Sequence, residues 1–285
     1  MVAVETRELR YFVAVAEELN FGRAAQRLGM AQPPLSRAIA QLERRLDATL
    51  LERTSRGVTL TGAGAVLLDE ARAALDAVVA AERRTRRAAE VADGRPAVVL
   101  ASKAGASTEL IAKLLDAYAS EPNSVSVDML LCGPGEQGRL LRTGRADVAL
   151  LHRPFDSLSG LDHETLSTEG QVVLLPAGHP LAGRPQVRTS DVTDLPGLPQ
   201  PRWPRADGGY PDGPGPKVRD HAQLQQLVSL GRASVIAPES ARTNLGHDLT
   251  AIPVVDAPQV TTVIAWPPHS RSVAVADLVR TAARL

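Results

Sequence analysis

The chain has 285 residues, a length that suggests two domains, and its 44% hydrophobic and 22% charged content is that of an ordinary globular protein. Thirty-two basic residues balance thirty-two acidic ones, so whole-chain charge points to no partner. A single cysteine, Cys132, excludes a disulfide framework, a multi-cysteine zinc site and an iron–sulfur cluster. No apolar run reaches the 18 residues a membrane helix needs, and Met1–Arg7 lacks the basic and apolar regions of a signal peptide, so no membrane partner and a cytoplasmic location are expected.

Leu9, Phe12, Val13 and Ala16 repeat at i, i+3, i+4, i+7 and predict an amphipathic helix over 6–18. Ala24, Ala25 and Leu28 mark a shorter second helix stopped at Gly29. Pro33 and Pro34 fit the first turn of a third helix, about 34–46, whose buried stripe is Leu35, Ile39, Leu42 and Leu46. Two helices joined through Gly29–Gln32 match a helix-turn-helix. Residues 50–60 read as strand, turn, strand: a wing. Asn20–Leu60 holds seven arginines against three acidic residues, a basic segment inside a neutral chain. On the third helix Gln32, Pro33, Ser36 and Arg37 lie on an exposed N-terminal turn that suits a major groove, where Gln and Arg can pair with base edges and Ser with bases or phosphates. On the hairpin, Arg53 and Arg56 are placed to clamp the backbone or enter a minor groove. An ordinary helical subdomain with an arginine-rich surface is the alternative.

Thr61 can cap a long helix from 62 to about 92. Leu68, Ala71, Leu75, Val78 and Glu82 step 3, 4, 3, 4 along it, the seam of a coiled coil that needs a partner chain. Arg83, Arg84, Arg86 and Arg87 read as its solvated face. Asp93–Pro96 is taken as the domain boundary. Beyond it, strand 98–101, helix 106–119, strand 125–131, helix 136–143 and strand 148–151 form βαβαβ and imply a parallel sheet flanked by helices. A second series follows: strand 172–175, helix 220–231, strands 235–237 and 260–266, and helix 273–284, with a Pro- and Gly-dense loop over 195–216. Cys132 reads as an inert thiol, no histidine spacing suits a metal, and no nucleophile elbow or phosphate loop is present, so no catalytic residue, metal or cofactor is expected. His152 and His221 can reach a cleft as polar lining.

The run Leu9–Glu18, then Phe21, Ala24-Ala25, Leu28, Gln32–Arg37, Ile39, Leu42-Glu43, Leu50–Arg53, Arg56-Gly57, Leu60-Thr61 and Gly64 resembles the winged helix-turn-helix of LysR-type transcriptional regulators, densely over residues 8–75. Gly144–Ala149, Leu227–Gly231 and Pro238 resemble landmarks of that family's effector domain. The resemblance implies an α/β protein: a winged helix-turn-helix (1–61), a linker and dimerisation helix (62–93), and a two-lobed, periplasmic-binding-protein-like effector domain (94–285). Lobe 1 is set at about 94–155 and 266–285, lobe 2 at about 156–265. It implies a homodimer through the linker helix, doubled to a tetramer. The partners are double-stranded operator DNA and a small-molecule effector held between the lobes. It places Gln32, Pro33, Pro34, Ser36, Arg37, Arg53 and Arg56 at the DNA. In the aromatic-acid-responsive branch, a hydroxyl follows the first strand, another the second, and an arginine the third. Those positions fall here on Ala104, Pro134 and Arg153, with Ser102 and Ser107 nearby, and Trp203 is placed in the cleft. An arginine there implies a carboxylate effector, and the second lobe looks shortened. The alternatives are a DNA-binding regulator with a degenerate, ligand-free cleft, and an enzyme whose α/β domain does catalysis.

Overall fold

The computed structural model describes residues 4–54, 57–92, 97–204 and 209–285. The chain divides into two compact units, Met1–Thr85 and Arg86–Leu285. Among the described residues, no helix is long and apolar enough to cross a membrane.

In the first unit, helices α1 (Thr6–Glu18), α2 (Phe21–Arg27) and α3 (Gln32–Leu46) precede the hairpin of β1 (Leu51–Thr54) and β2 (Gly57–Leu60), and α4 (Gly62–Ala92) follows. Its core joins Phe12 and Val15 of α1, Phe21 and Ala24 of α2, and Leu35, Ile39 and Leu42 of α3 with Leu50. Leu46, counted in the stripe of α3, is instead 37% exposed, because α3 ends there and Asp47 turns into the left-handed region (φ 49°). The Glu43 carboxylate accepts from the amides of Leu50 and Leu51 (2.9 and 3.1 Å), which ties α3 to the wing. β1 and β2 are antiparallel, with Leu51 opposite Leu60 and Arg53 opposite Val58. The Thr61 hydroxyl donates to the Thr49 carbonyl and accepts from the Gly64 amide (2.7 and 2.9 Å), capping α4 as its position predicts. Gly64 must be glycine: a Cβ there would collide with the Leu50 carbonyl oxygen.

The second unit holds two sheets. The first is five-stranded, in the order β4-β3-β5-β10-β6, from β3 (Ala97–Lys103), β4 (Ser126–Cys132), β5 (Val148–Arg153), β6 (Asp162–Glu169) and β10 (Val260–Trp266). β3 runs parallel to β4 and β5, as the alternating pattern predicts, whereas β10 is antiparallel to both β5 and β6. Val148 and Leu150 face a core with α5 (Thr108–Ala119) and α9 (Val273–Ala282). Ala149 and Leu151 face the other, with α6 (Gln137–Arg142). Both faces of β5 are therefore covered, which explains its unbroken apolar run.

The second sheet, β8-β7-β9, is wholly antiparallel: β7 (Gln171–Pro176) lies between β8 (Val235–Pro238) and β9 (Leu249–Val254). Val172 and Leu174 pack with Leu224 and Val228 of α8 (His221–Ser229). Val173 and Leu175 pack with Val187, Leu198 and Val192 of the single-turn α7 (Thr189–Val192). The lobe limits consequently differ from the sequence reading. β6 and β10 belong to the first sheet, so the second lobe spans about 170–259 rather than 156–265. β6 and β9 carry little strand signal. β6 is a charged, exposed edge, and β9 contains Pro253, which an edge strand tolerates because its missing N–H breaks no ladder. Two chain crossings join the lobes, and Gln171 links them by donating its side-chain amide to the Pro258 carbonyl (2.7 Å). The boundary residues 93–96 lie outside the described residues.

Candidate nucleic-acid interface and effector cleft

α3 carries the predicted readout residues on its open face. Gln32, Pro33 and Arg37 are exposed, and Pro34 and Ser36 are half-buried. The Ala31 N-cap supplies no side-chain acceptor, and two prolines in the first turn carry no N–H, which leaves few free amide donors at this end. Arg37 forms no ion pair with any described residue, unlike Arg45, whose guanidinium meets Glu8 at 2.7 Å. The base of the interface is braced by Glu17, which pairs with Arg27 of α2 and Arg72 of α4 (both 2.8 Å). Burial pushes the Glu17 carboxyl up, but hydrogen bonds from Arg72 and Arg27 outweigh it and hold it below the ordinary carboxylate range. Arg56 and the Arg53 side chain lie outside the described residues, although the Arg53 backbone holds its place in β1.

Along α4, Leu68 packs on the winged-helix core, Ala71 is 1% exposed, Leu75 and Val78 are half-buried, and Glu82 is exposed. Of the four late arginines read as a solvated face, Arg86 is exposed, whereas Arg83, Arg84 and Arg87 are half-buried, which corrects that reading for those three; the contacts of Arg87 fix the helix end. The Arg87 guanidinium donates to the Asp147 carboxylate at 2.5 Å and to the Gly144 carbonyl at 3.0 Å. Asp147 also accepts from the Val99 amide (2.9 Å). The Gly144–Asp147 turn is therefore a socket for the end of the linker helix.

Within the second unit, a cavity of about 340 Å³ opens between the sheets at the C-terminal ends of β3 and β5, where ligands of open α/β sheets bind. Ser107, Pro134 and Trp203 line it as the sequence reading expects, together with His152 and His221. Ser102, Ala104 and Arg153 do not. Ser102 is fully buried, and its Oγ has no hydrogen-bond partner among the described residues. Ala104 donates its amide to the Cys132 carbonyl. Arg153 is exposed opposite Thr261 of β10. The physical reason is strand alternation: neighbours on a strand point to opposite faces, so Lys103 and His152 take the cavity and Ser102 and Arg153 turn away.

Lys103 Nζ pairs with Asp156 Oδ2 at 2.9 Å, both side chains almost wholly buried. The same oxygen accepts from the His152 amide (2.8 Å), and His152 Nε2 meets Ser107 Oγ at 2.9 Å. Burial raises the Asp156 carboxyl, and the hydrogen bonds from His152 and Lys103 with the nearby lysine charge bring it down below its ordinary value. Across the cavity the Trp203 and His221 rings lie 5.3 Å apart, tilted by 41°. Gly105, at φ +80°, lets the β3–α5 turn approach α8, where a Cβ would sit 3.1 Å from His221 Cβ. Burial first, and then the charges of Lys103 and His152, hold His221 below the usual histidine value. Phe155, 58% exposed, forms part of the rim. Sequence reasoning missed Lys103, Phe155 and Asp156. One signal was available, since Lys103 is one of only three lysines in a chain with twenty-nine arginines.

Cys132 is a thiol with its pKa pushed up to about 11, by burial first and then by Glu136, and its Sγ donates to the Ser102 carbonyl (3.4 Å). That environment opposes thiolate formation. Among the described residues, no cluster of three His, Cys, Asp or Glu residues could hold a metal.

Comparison with known proteins agrees with this architecture. Residues 6–65 match the family model described as the bacterial regulatory helix-turn-helix protein, lysR family, and residues 93–285 match the LysR substrate binding domain. The chain is 32% identical over 258 residues to the HTH-type transcriptional regulator AlsR of Bacillus subtilis, covering 87% of this chain and 84% of that protein. It is 32% identical over 280 residues to the uncharacterized HTH-type transcriptional regulator YnfL of Escherichia coli, covering 93% of each. The crystal structure of full-length BenM matches with a TM-score of 0.51 and 26% identity, over 99% of this chain and 96% of that one. CbnR solved with its target DNA shares the fold at a TM-score of 0.52 and 24% identity, over 99% of both chains. The chain therefore belongs to the LysR family and is a LysR-type transcriptional regulator, a helix-turn-helix protein with an effector-binding domain rather than an enzyme.

Proposed function

We propose that this protein is a cytoplasmic homodimer, paired further into a tetramer, that reads a palindromic operator and changes its grip on it when a small molecule enters the cleft between lobes. Gln32, Pro33, Pro34, Ser36 and Arg37 read base edges from α3, and Arg53 and Arg56 hold the backbone from the wing. α4 supplies the dimer seam over residues 62–92. Ser107, Pro134 and Trp203, joined by Lys103, His152, Asp156 and His221, surround the effector. Ligand binding shifts the lobe arrangement, and the Arg87 clamp on the Gly144–Asp147 turn passes that shift to the linker helix.

The observation that carries this reading is the coexistence of an open, arginine-bearing α3 face in one unit with a formed polar-and-apolar cavity in the other. A degenerate, ligand-free cleft fits less well, because a cavity of about 340 Å³ is present with a hydrogen-bonded polar wall. Footprinting on the DNA upstream of the protein's own gene, with and without a panel of small molecules, tests it. A protected palindrome whose footprint changes with one compound is the expected result. Protection indifferent to every compound would remove the effector half of the proposal.

A further inference from the structure

The charge of the cleft wall selects its ligand, an inference that rests on reading the cavity as the effector site. Among the described lining residues, Lys103 is the only lysine or arginine, and its ammonium is bound to Asp156 at 2.9 Å. A carboxylate brought to Lys103 would also lie within about 5 Å of the Asp156 carboxylate, since two acceptors on one ammonium are separated by roughly the tetrahedral angle. Repulsion offsets part of the attraction, and the hydration lost on entry is not fully returned. Burial, and then the charges of Lys103 and His152, lower the His221 pKa and so disfavour a second positive charge there. Arg153, the expected carboxylate anchor, is exposed and outside the cavity. The α5 N-terminus offers only a fractional positive charge, and the hydroxyl of its N-cap Ser107 already meets His152.

Much of the remaining lining is aromatic or aliphatic. It comprises the neighbouring rings of Trp203 and His221, the side chains of Leu174, Leu224 and Ile236, and the exposed Phe155. We propose that the cleft takes an uncharged, ring-bearing molecule with one hydroxyl, amide or carbonyl group, held by exchange with the Ser107–His152 hydrogen bond, and that it discriminates against carboxylates. The Lys103–Asp156 pair acts as a charge-neutral polar floor. It presents both donors and an acceptor to a neutral group.

Benzamide and benzoate have nearly the same shape and differ in charge, so they isolate this property. Binding to the full chain is read from Trp203 fluorescence in a Trp266→Phe background, with thermal shift of the unaltered protein as a second measure. Benzamide should bind at least about tenfold more tightly than benzoate, the equivalent of about 1.4 kcal/mol. Asp156→Asn, which keeps an acceptor for the His152 amide but frees the lysine charge, should reverse the order. Benzoate binding as well as or better than benzamide to the unaltered protein overturns the proposal, whether or not the variant folds. So does failure of both compounds to bind at millimolar concentration. The effector reading itself would still be decided by the footprinting panel, so the two failures are separable.

Discussion

At the scale of single residues, function depends on which side chains are already committed inside the chain and which are not. Arg45, Arg27 and Arg72 are tied to Glu8 and Glu17, so their charges brace helices. Arg37 is exposed and forms no ion pair with any described residue, which suits the base contact proposed for it. Arg37→Ala should weaken operator binding by about 1–3 kcal/mol, concentrated at one base position, with a much smaller loss on random DNA. Gel shifts on operator and scrambled duplexes check it, and equal losses on both would make Arg37 a phosphate contact. His221 provides a pH test. Its folded pKa lies below the ordinary 6.5, so the unfolded chain binds the proton first. Stability from this group is present above about pH 6.5 and is lost as pH falls through the lower folded value. The melting temperature should drop as pH is lowered from about 7 to 5, and His221→Gln should flatten that drop. An unchanged slope in the variant would assign it to other groups. The Asp156 carboxyl, also held low, gives its loss only in more acidic solution.

At the scale of elements, α4 belongs to both units, and each end can be tested separately. Ala71 is closed off and Leu68 packs on the winged-helix core, whereas Leu75 and Val78 are only half-buried in one chain. A stripe left half open over successive turns is what a second copy would complete. Leu75→Glu should place like charges across that seam and convert the dimer to monomer or aggregate, with loss of palindrome binding. Sedimentation checks this, and a variant that sediments as the parent would show that the seam lies elsewhere. At the far end, Arg87 reaches Asp147 and Gly144 at the start of β5, the strand whose other end carries His152. Arg87→Met should leave the unliganded footprint close to that of the parent and reduce the footprint change that an effector causes. Loss of all DNA binding would instead give the clamp a purely structural role.

At the scale of the whole molecule, zero net charge conceals the basic segment between Asn20 and Leu60, so DNA affinity should be strongly salt-dependent even though the protein is neutral. With six or more phosphates contacted by a dimer, raising salt from about 50 to 200 mM should weaken binding by roughly a thousandfold or more; a flat titration would remove the wing and α3 arginines from the phosphate backbone. What the sequence by itself determined was everything local and periodic. The first four helices, the hairpin, the capping role of Thr61 and the parallel β3-β4-β5 core follow from apolar spacing and turn residues within about a dozen positions. Tertiary structure alone decided the rest. β6 and β9 exist because a neighbouring strand pairs with them, a contact that no local pattern encodes. The lobe boundary moved because β10 returns to the first sheet from far along the chain. At β3 the side chain that lines the cleft is Lys103 and not its neighbour Ser102, and at β5 it is His152, already expected as lining, and not Arg153. Side chains alternate across a strand, so the side that faces the cavity is chosen by how the lobes pack, and a shift of one position exchanges inside for outside.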